Sequence, residues 1–253
     1  MNEKEQVLPI YKRAGETPLE AISRIKEACP EYADETMTYA GRLDPLAEGV
    51  LLLLSGDQIH KKDEYLKLDK EYVFDVLFGF STDTFDLLGK VTDTGKAAPS
   101  VPDIKKALKG LTGSYEQKYP PYSSKTIEGK PLFLWAREGR LHEITIPTHP
   151  VSVKELMLTG IRTISKDALR KKVHASIGSV RGDFRQEEIR ELWNAYLDIH
   201  ETDTLTLANI RLACSHGTYV RALTNELGEE LGMPATTFHI IRTKVGAYTS
   251  EKL

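Results

Sequence analysis

Hydrophobic and polar positions along this 253-residue chain follow two periods, and the switches between them predict a mixture of strands and helices. The run Val50-Leu51-Leu52-Leu53-Leu54 predicts a buried strand. Glu71 to Gly79 alternates as a half-buried strand, and Val7 to Lys12, Val151 to Ile161 and Ala208 to Cys214 read as strands by composition. Helical spacing begins at Leu19 and continues through Ile22, Ile25 and Ala28 until Pro30. Thr17-Pro18-Leu19-Glu20 opens that helix as a capping box with proline in the first turn. Ser100 to Leu108 predicts a second helix, ended by Gly110. Val220, Leu223, Leu227 and Leu231 predict a buried face on a third. Between Ser165 and Ile199, two helical stretches, Asp167 to Val173 and Glu187 to Trp193, flank a turn at Gly178 and Gly182. Lys61 to Glu71 reads as a charged connection.

Composition narrows the classes. Hydrophobic residues at 40% and charged residues at 28% suit a globular chain able to bury a core. No apolar run approaches the ~20 residues of a membrane span, so no membrane role is expected. The first six residues, Met1 to Gln6, are polar and acidic, without a basic or apolar leader segment, and a cytoplasmic location is expected. Cys29 and Cys214 are too few for a disulfide framework or a metal cage and read as buried thiols. Net charge is -3, which weighs against nucleic-acid binding because phosphate contacts need Lys and Arg. Charge is nevertheless uneven. Arg162 to Arg185 carries seven basic residues against two acidic ones, a segment open to reading as a phosphate-binding surface or as a solvated helix face.

The candidate chemistry begins at Gly41-Arg42-Leu43-Asp44-Pro45-Leu46-Ala47-Glu48-Gly49-Val50-Leu51. Asp-Pro beside glycine is common turn chemistry, since Asp bonds local amides and Pro fixes the next φ. The same arrangement, leading directly into a buried strand, also holds one carboxylate rigidly at a sheet edge. The whole stretch resembles the catalytic-aspartate motif of the TruB family of tRNA pseudouridine synthases, Gly-x-Leu-Asp-Pro-x-Ala-x-Gly-x-Leu.

Other segments resemble the same family in order. Lys12 and Gly15 fall at its Lys-Pro-x-Gly turn, with Arg13 in place of the proline. Lys70-Glu71-Tyr72 and the stretch Gly79 to Gly89 match its Lys-x-Tyr and Gly-x-x-Thr-Asp-Thr-x-Asp-x-x-Gly block. Pro120-Pro121-Tyr122-Ser123-Ser124-Lys125 and Gly129 to Arg137 resemble its thumb segment. Cys214-Ser215-His216-Gly217-Thr218-Tyr219-Val220-Arg221 resembles Cys-Ser-x-Gly-Thr-Tyr-x-Arg, and Ile240 to Gly246 resembles the closing Leu-Arg-Arg-x-x-Val-Gly. The resemblance spans Leu8 to Gly246 apart from the helical insertion.

It implies an α+β pseudouridine synthase fold, with a mixed, mostly antiparallel sheet flanked by helices. A single catalytic domain over 1–253 is expected, with a thumb-like segment at about 117–150, a helical insertion at about 163–200 and no C-terminal PUA domain. The implied activity isomerises uridine to pseudouridine, most directly the T-loop uridine of tRNA, after flipping the base out of the RNA. The implied catalytic residues are Asp44, with Arg221 as its cationic partner, and Tyr72 against the uracil. Tyr219 and Ile240 are expected to wall the pocket, and Tyr39, Arg42, Lys12 and Lys125 to contact substrate. Lys171 and Lys172, with Arg170, Arg181 and Arg185, are expected to add phosphate contacts from the insertion. Asp83 and Asp86 read as loop caps. No metal or redox cofactor is called for, because the isomerisation neither oxidises nor hydrolyses. The T-arm of tRNA is the expected partner, no protein partner is implied, and a monomer is expected. Tyr39 stands where the family has His, and Arg42 where it has a small residue. Arg-Leu-Asp is also what pseudouridine synthases acting on ribosomal RNA carry, so a ribosomal or other RNA uridine stays open as target. A non-catalytic RNA-folding chaperone is the alternative of another class; Asp44, Tyr72 and Arg221 together favour an enzyme.

Overall fold

A computed structural model describes residues 5–95 and 98–250; residues 1–4 of the polar N-terminal stretch lie outside them. The chain opens with β1 (Val7–Lys12), α1 (Pro18–Ala28), β2 (Met37–Ala40) and β3 (Glu48–Ser55). Then come α2 (Lys62–Leu66), β4 (Lys70–Phe78), β5 (Phe80–Thr82), β6 (Val91–Thr94), α3 (Val101–Gly110) and β7 (Gly113–Lys118). A thumb-like arm holds β8 (Thr126–Ile127), β9 (Lys130–Pro131) and α4 (Leu132–Arg137). The remainder is β10 (Thr148–Ser165), α5 (Lys166–Ser179), α6 (Gln186–Ile199), β11 (Thr204–Cys214), α7 (Val220–Leu231), β12 (Ala235–Val245) and β13 (Tyr248–Thr249).

The main sheet runs β1-β3-β12-β4-β11-β10-β7, with β2 paired to β3 and β13 to β12. Among the described residues its pairings are antiparallel except where β3 meets β12, with Glu48 opposite Ile241 and Gly49 opposite Arg242. That parallel join brings the closing motif beside the Asp44 motif, almost 200 positions earlier.

Side-chain alternation explains the layers. On β4 and β11, Phe74, Val76, Phe78, Ala208, Ile210 and Leu212 face one core, filled by Ile104 and Leu108 of α3 and Val220, Leu223 and Leu227 of α7. Leu77, Leu205 and Leu207 face the other, filled by Leu169, Val173 and Ile177 of α5 and Ile189, Trp193 and Leu197 of α6. Helices α5 and α6, in the segment expected as an insertion, therefore form the second helical layer of the fold. It also corrects the expectation for β4, which is half-buried only as far as Phe74 and buried from Phe74 to Phe78, because α5 and α6 cover its far end. Trp193 is fully buried, stacks on Phe80 at 5.1 Å and donates from Nε1 to the Gly89 carbonyl at 3.1 Å.

Strand β3 lies between two cores. Leu51 and Leu53 meet Ala21 and Ile22 of α1, while Val50, Leu52 and Leu54 meet Ala40 and Val245. A strand covered on both faces has no solvent side, hence the unbroken apolar run. The capping box of α1 forms in both directions, Thr17 accepting from Glu20 N and Glu20 accepting from Thr17 N. Three expectations shift. The connection after β3 contains a 3-10 turn and α2, Cys29 is partly exposed while Cys214 is buried, and β2, β7 and β12 are strands that the sequence pattern did not reveal. No described helix is long and apolar enough to cross a membrane.

Gly49 is the position with least freedom. Its φ is +110° and an added Cβ would lie 2.2 Å from the Arg242 carbonyl oxygen. Gly49→Ala should therefore lower stability by at least ~2 kcal/mol, a drop of roughly 5 °C or more in thermal midpoint for a domain of this size. Gly178→Ala, near the end of α5 with nothing within 4 Å of the added Cβ, should leave the midpoint unchanged or raise it, the gain being at most ~1 kcal/mol. Thermal unfolding of the two variants beside the parent checks both.

Candidate active site

The loop between β2 and β3 carries Asp44, and two buried cations hold its backbone. Lys12, fully buried at the end of β1, donates from Nζ to the carbonyls of Ala47 at 2.6 Å, Pro45 at 3.2 Å and Arg13 at 3.0 Å. Arg242, 1% exposed on β12, donates from Nε to the Val50 carbonyl at 2.7 Å and from its terminal nitrogens to those of Gly41 at 3.0 Å and Arg42 at 3.4 Å. A buried charge needs compensating polar groups, and here the carbonyls of a tight turn supply them. The loop is consequently clamped on both sides. Burial pushes the Lys12 ammonium down to about 8, opposed by Glu16 and Asp44.

The Asp44 carboxylate meets Arg221 of α7 in a two-point pair, Nε to Oδ2 at 2.7 Å and Nη2 to Oδ1 at 3.0 Å. The guanidinium is completed by the Thr84 carbonyl at 2.7 Å on Nη1 and the Tyr122 carbonyl at 3.1 Å on Nη2. Its side chain is 4% exposed against 30% for Asp44. The cation is sealed while the carboxylate keeps a face open. Burial alone would weaken the guanidinium charge, but Asp44 and Asp86 outweigh it and hold the Arg221 pKa above its usual range. Asp86 stands 3.8 Å from Arg221 and accepts from Thr84 Oγ1 at 2.6 Å and Leu88 N at 2.9 Å. Burial raises its pKa, against the pull of Arg221.

That open face looks into a cavity of about 700 Å³ lined by Tyr72, Tyr219 and Ile240 among others. Tyr72 projects from β4 with 8% of its surface exposed. Burial, eased by Arg242, pushes its phenol up to about 12, so it is neutral near pH 7. Tyr219 is the N-cap of α7, its amide donating to Gln117 Oε1 at 2.8 Å. This places Tyr219 in the first turn, ahead of Arg221. Burial, with Asp44 beside it, pushes the Tyr219 phenol up to about 12 as well. Lys70 also lines the cavity, and burial, reinforced by Arg242, pushes its ammonium down to about 8.

At the mouth, Tyr39 and Arg42 both line the cavity, with Arg42 Nη2 3.4 Å from the Tyr39 hydroxyl and Lys62 Nζ 5.3 Å from the Tyr39 ring centroid. The thumb meets the same mouth through an aromatic cluster. Tyr119 stacks on His149 at 4.1 Å, and Tyr219 meets both edge-on.

Four lysines expected to contact substrate lie outside the cavity lining. Lys12 is a structural clamp, since all its reach goes to backbone carbonyls. Lys125 stands 5.2 Å over the Tyr119 ring. Lys171 is exposed on α5, and Lys172 lies 5.8 Å over the Phe238 ring. The basic cluster of the insertion is thus divided. Arg170 pairs with Asn194 at 2.8 Å and Asp198 at 2.6 Å, whereas Arg185 turns into the cavity and pairs with Asp83 at 2.6 Å. Arg242 and Asp86 lay inside matched motifs without a role assigned to either beyond a cap. Arg185 was expected at phosphates and Tyr122 lay in the thumb motif with no role, and the structure brings both to this cavity. Among the described residues no group of three His, Cys, Asp or Glu is arranged to hold a metal.

Comparison with known proteins supplies the family. Residues 31–180 match the model of the TruB family pseudouridylate synthase N-terminal domain. A protein of Syntrophus aciditrophicus (strain SB) named tRNA pseudouridine synthase B is 30% identical over 97% of this chain, which spans 64% of that protein. One of the same name from Caldanaerobacter subterraneus subsp. tengcongensis is 30% identical over 97% of this chain, which covers 70% of it. The chain therefore spans about two thirds of the length of these relatives. In fold it is similar to a chain of a Cbf5-Nop10-Gar1 complex, with a TM-score of 0.60, 17% identity and coverage of 97% of this chain and 50% of that one. With the family model matching more than half of its residues, the chain belongs to the TruB family of pseudouridylate synthases.

Proposed function

We propose that this chain isomerises uridine to pseudouridine in RNA, with the T-loop uridine of tRNA as its target and Asp44 as the catalytic carboxylate. One observation carries the reading: a carboxylate gripped at two points by a sealed guanidinium, with its remaining face turned into an aromatic-walled cavity. The reaction breaks the N1–C1′ bond, turns the uracil and joins C5 to C1′; the C5 proton is lost and N1 gains one, so no net oxidation or hydrolysis occurs. It requires one group that attacks C1′ or removes the C2′ proton, and Asp44 is suited to either. Arg221 fixes the direction in which that carboxylate points and disperses its charge.

A uridine held in a folded hairpin must leave its stack to reach this cavity. Flipping costs a few kcal/mol, offset by new stacking inside the pocket. Tyr72 supplies a ring face for the uracil near C5, while Tyr219 and Ile240 close the sides and hold the detached base in place as it turns. Tyr39 and Arg42, at the mouth, occupy the place from which the RNA would approach. The tRNA assignment rests on the names of the relatives and is tested by mapping pseudouridine in cellular RNA with and without the protein. Loss of the T-loop modification supports it; loss confined to ribosomal RNA moves the target there.

Asp44→Asn should abolish isomerisation while keeping binding of a T-arm hairpin within about tenfold, ~1.4 kcal/mol. Tritium release from 5-labelled uridine measures the first and filter binding the second. Appreciable turnover by this variant would remove Asp44 from the chemistry.

Arg221→Lys should be nearly as severe in single-turnover rate, because a point charge cannot reproduce four directed hydrogen bonds to Asp44, Thr84 and Tyr122. It should also lower thermal stability, since the lost contacts leave buried carbonyls and Asp86 under-compensated, at a cost of several kcal/mol at most. A near-parental rate would show that Asp44 needs no bidentate partner.

A further inference from the structure

We propose that Arg185, from the turn between the two inserted helices, is a positioning residue for the Asp44–Arg221 pair, acting through Asp83 and Tyr122. This rests on the catalytic reading of Asp44 given above. The contacts form a short chain. Arg185 donates from Nη1 to Asp83 Oδ2 at 2.6 Å and from Nη2 to Oδ1 at 3.3 Å, and its guanidinium lies 4.5 Å over the Tyr122 ring. Tyr122 closes the triangle by donating its hydroxyl to Asp83 Oδ2 at 3.0 Å. The next step is backbone: the Tyr122 carbonyl accepts from Arg221 Nη2, and the carbonyl of Thr84, one residue past Asp83, accepts from Arg221 Nη1. Arg185 thus clamps, from behind, both segments whose carbonyls aim the guanidinium at Asp44.

The turn is built to hold that position. Arg185 has φ +63° although it is not glycine, a left-handed conformation that persists where the surroundings dictate it. Its neighbours are tied down on either side, with Asp183 paired to Arg137 of the thumb and Glu188 to Lys90. Trp193, two turns into α6, donates to the Gly89 carbonyl at the end of the Asp83 loop. Phosphate binding would need the Arg185 guanidinium free, but it is 15% exposed and committed to Asp83. Asp83 also accepts from Lys90 N at 2.8 Å, so its loop keeps a local anchor when Arg185 is changed, and the variant should fold.

The test uses the full chain with Arg185→Gln and Arg185→Lys, measuring single-turnover rate and affinity on a T-arm hairpin, thermal midpoint, and hydrogen exchange at the Arg221 Nε–H by nitrogen-15 NMR. That signal is assigned by its loss in Arg221→Lys. Arg185→Gln should lower the single-turnover rate at saturating RNA at least tenfold, leave affinity within twofold, and speed exchange at Arg221 Nε–H severalfold; Arg185→Lys, which keeps a charge for Asp83, should recover part of both. Tyr122→Phe, which removes only the hydroxyl bond to Asp83, should shift both readouts the same way by two- to threefold, and serves if Arg185→Gln does not fold. Parental rate and exchange in these variants would overturn the proposal. So would weakened RNA affinity and a flatter salt dependence at unchanged rate, the outcome for a phosphate contact. If the parent protein isomerises no uridine in any RNA tried, the catalytic reading fails, and the exchange measurement alone still decides whether Arg185 holds Arg221 in place.

Discussion

A buried guanidinium must be given a partner in every direction it points, and satisfying Arg221 organises this molecule. Two of its bonds go to Asp44, one to the Thr84 carbonyl and one to the Tyr122 carbonyl. These partners come from three separated parts of the chain, the loop before β3, the loop after β5 and the base of the thumb, and all converge on α7. Displacing any one leaves a buried donor or acceptor unmade, which costs more than the bond contributes when formed. The site is therefore rigid because its centre tolerates no partial assembly. Asp86 adds a second, more deeply buried carboxyl 3.8 Å from the same cation, so Arg221 is shared between two carboxyls that both line the cavity, Asp44 being the more exposed of them.

The same economy of buried charge fixes the loop that carries Asp44. Lys12 and Arg242 direct their hydrogen bonds at its carbonyls. Arg242 reaches the loop because β12 runs parallel to β3 at Gly49, and the join is close enough that Gly49 admits no side chain. One backbone constraint thus couples sheet topology to the aim of a single carboxylate.

Helices α5 and α6 serve the fold and the site together. Their apolar faces cover Leu77, Leu205 and Leu207 of the sheet, which explains why β4 ceases to alternate halfway along. Their connecting turn reaches over the edge of that layer into the cavity. The positive charge of this segment separates accordingly, with Arg170 neutralised between the two helices, Arg185 committed to Asp83, and Lys171 left in solvent.

Much of this was legible in the sequence. Periodicity and local composition located β1, β3, β4, β10, β11, α1, α3 and α7, and the helix pair α5 and α6, because those patterns follow from local geometry and from which face meets a core. Resemblance to the motifs of the TruB family pointed to Asp44, Arg221, Tyr72, Tyr219 and Ile240, and the structure brings all five to one cavity. The tertiary structure alone decided what each charge does. Lys12 reads from sequence as a basic residue beside a turn and is a buried clamp; Arg185 reads as one cation in a basic stripe and points into the cavity. The strands β2 and β7 were equally invisible, being short segments whose partners set their conformation. Local order is encoded by neighbours a few residues apart, whereas the role of a charged side chain depends on which carbonyls and carboxylates folding places around it, and here those partners lie up to about 200 positions away.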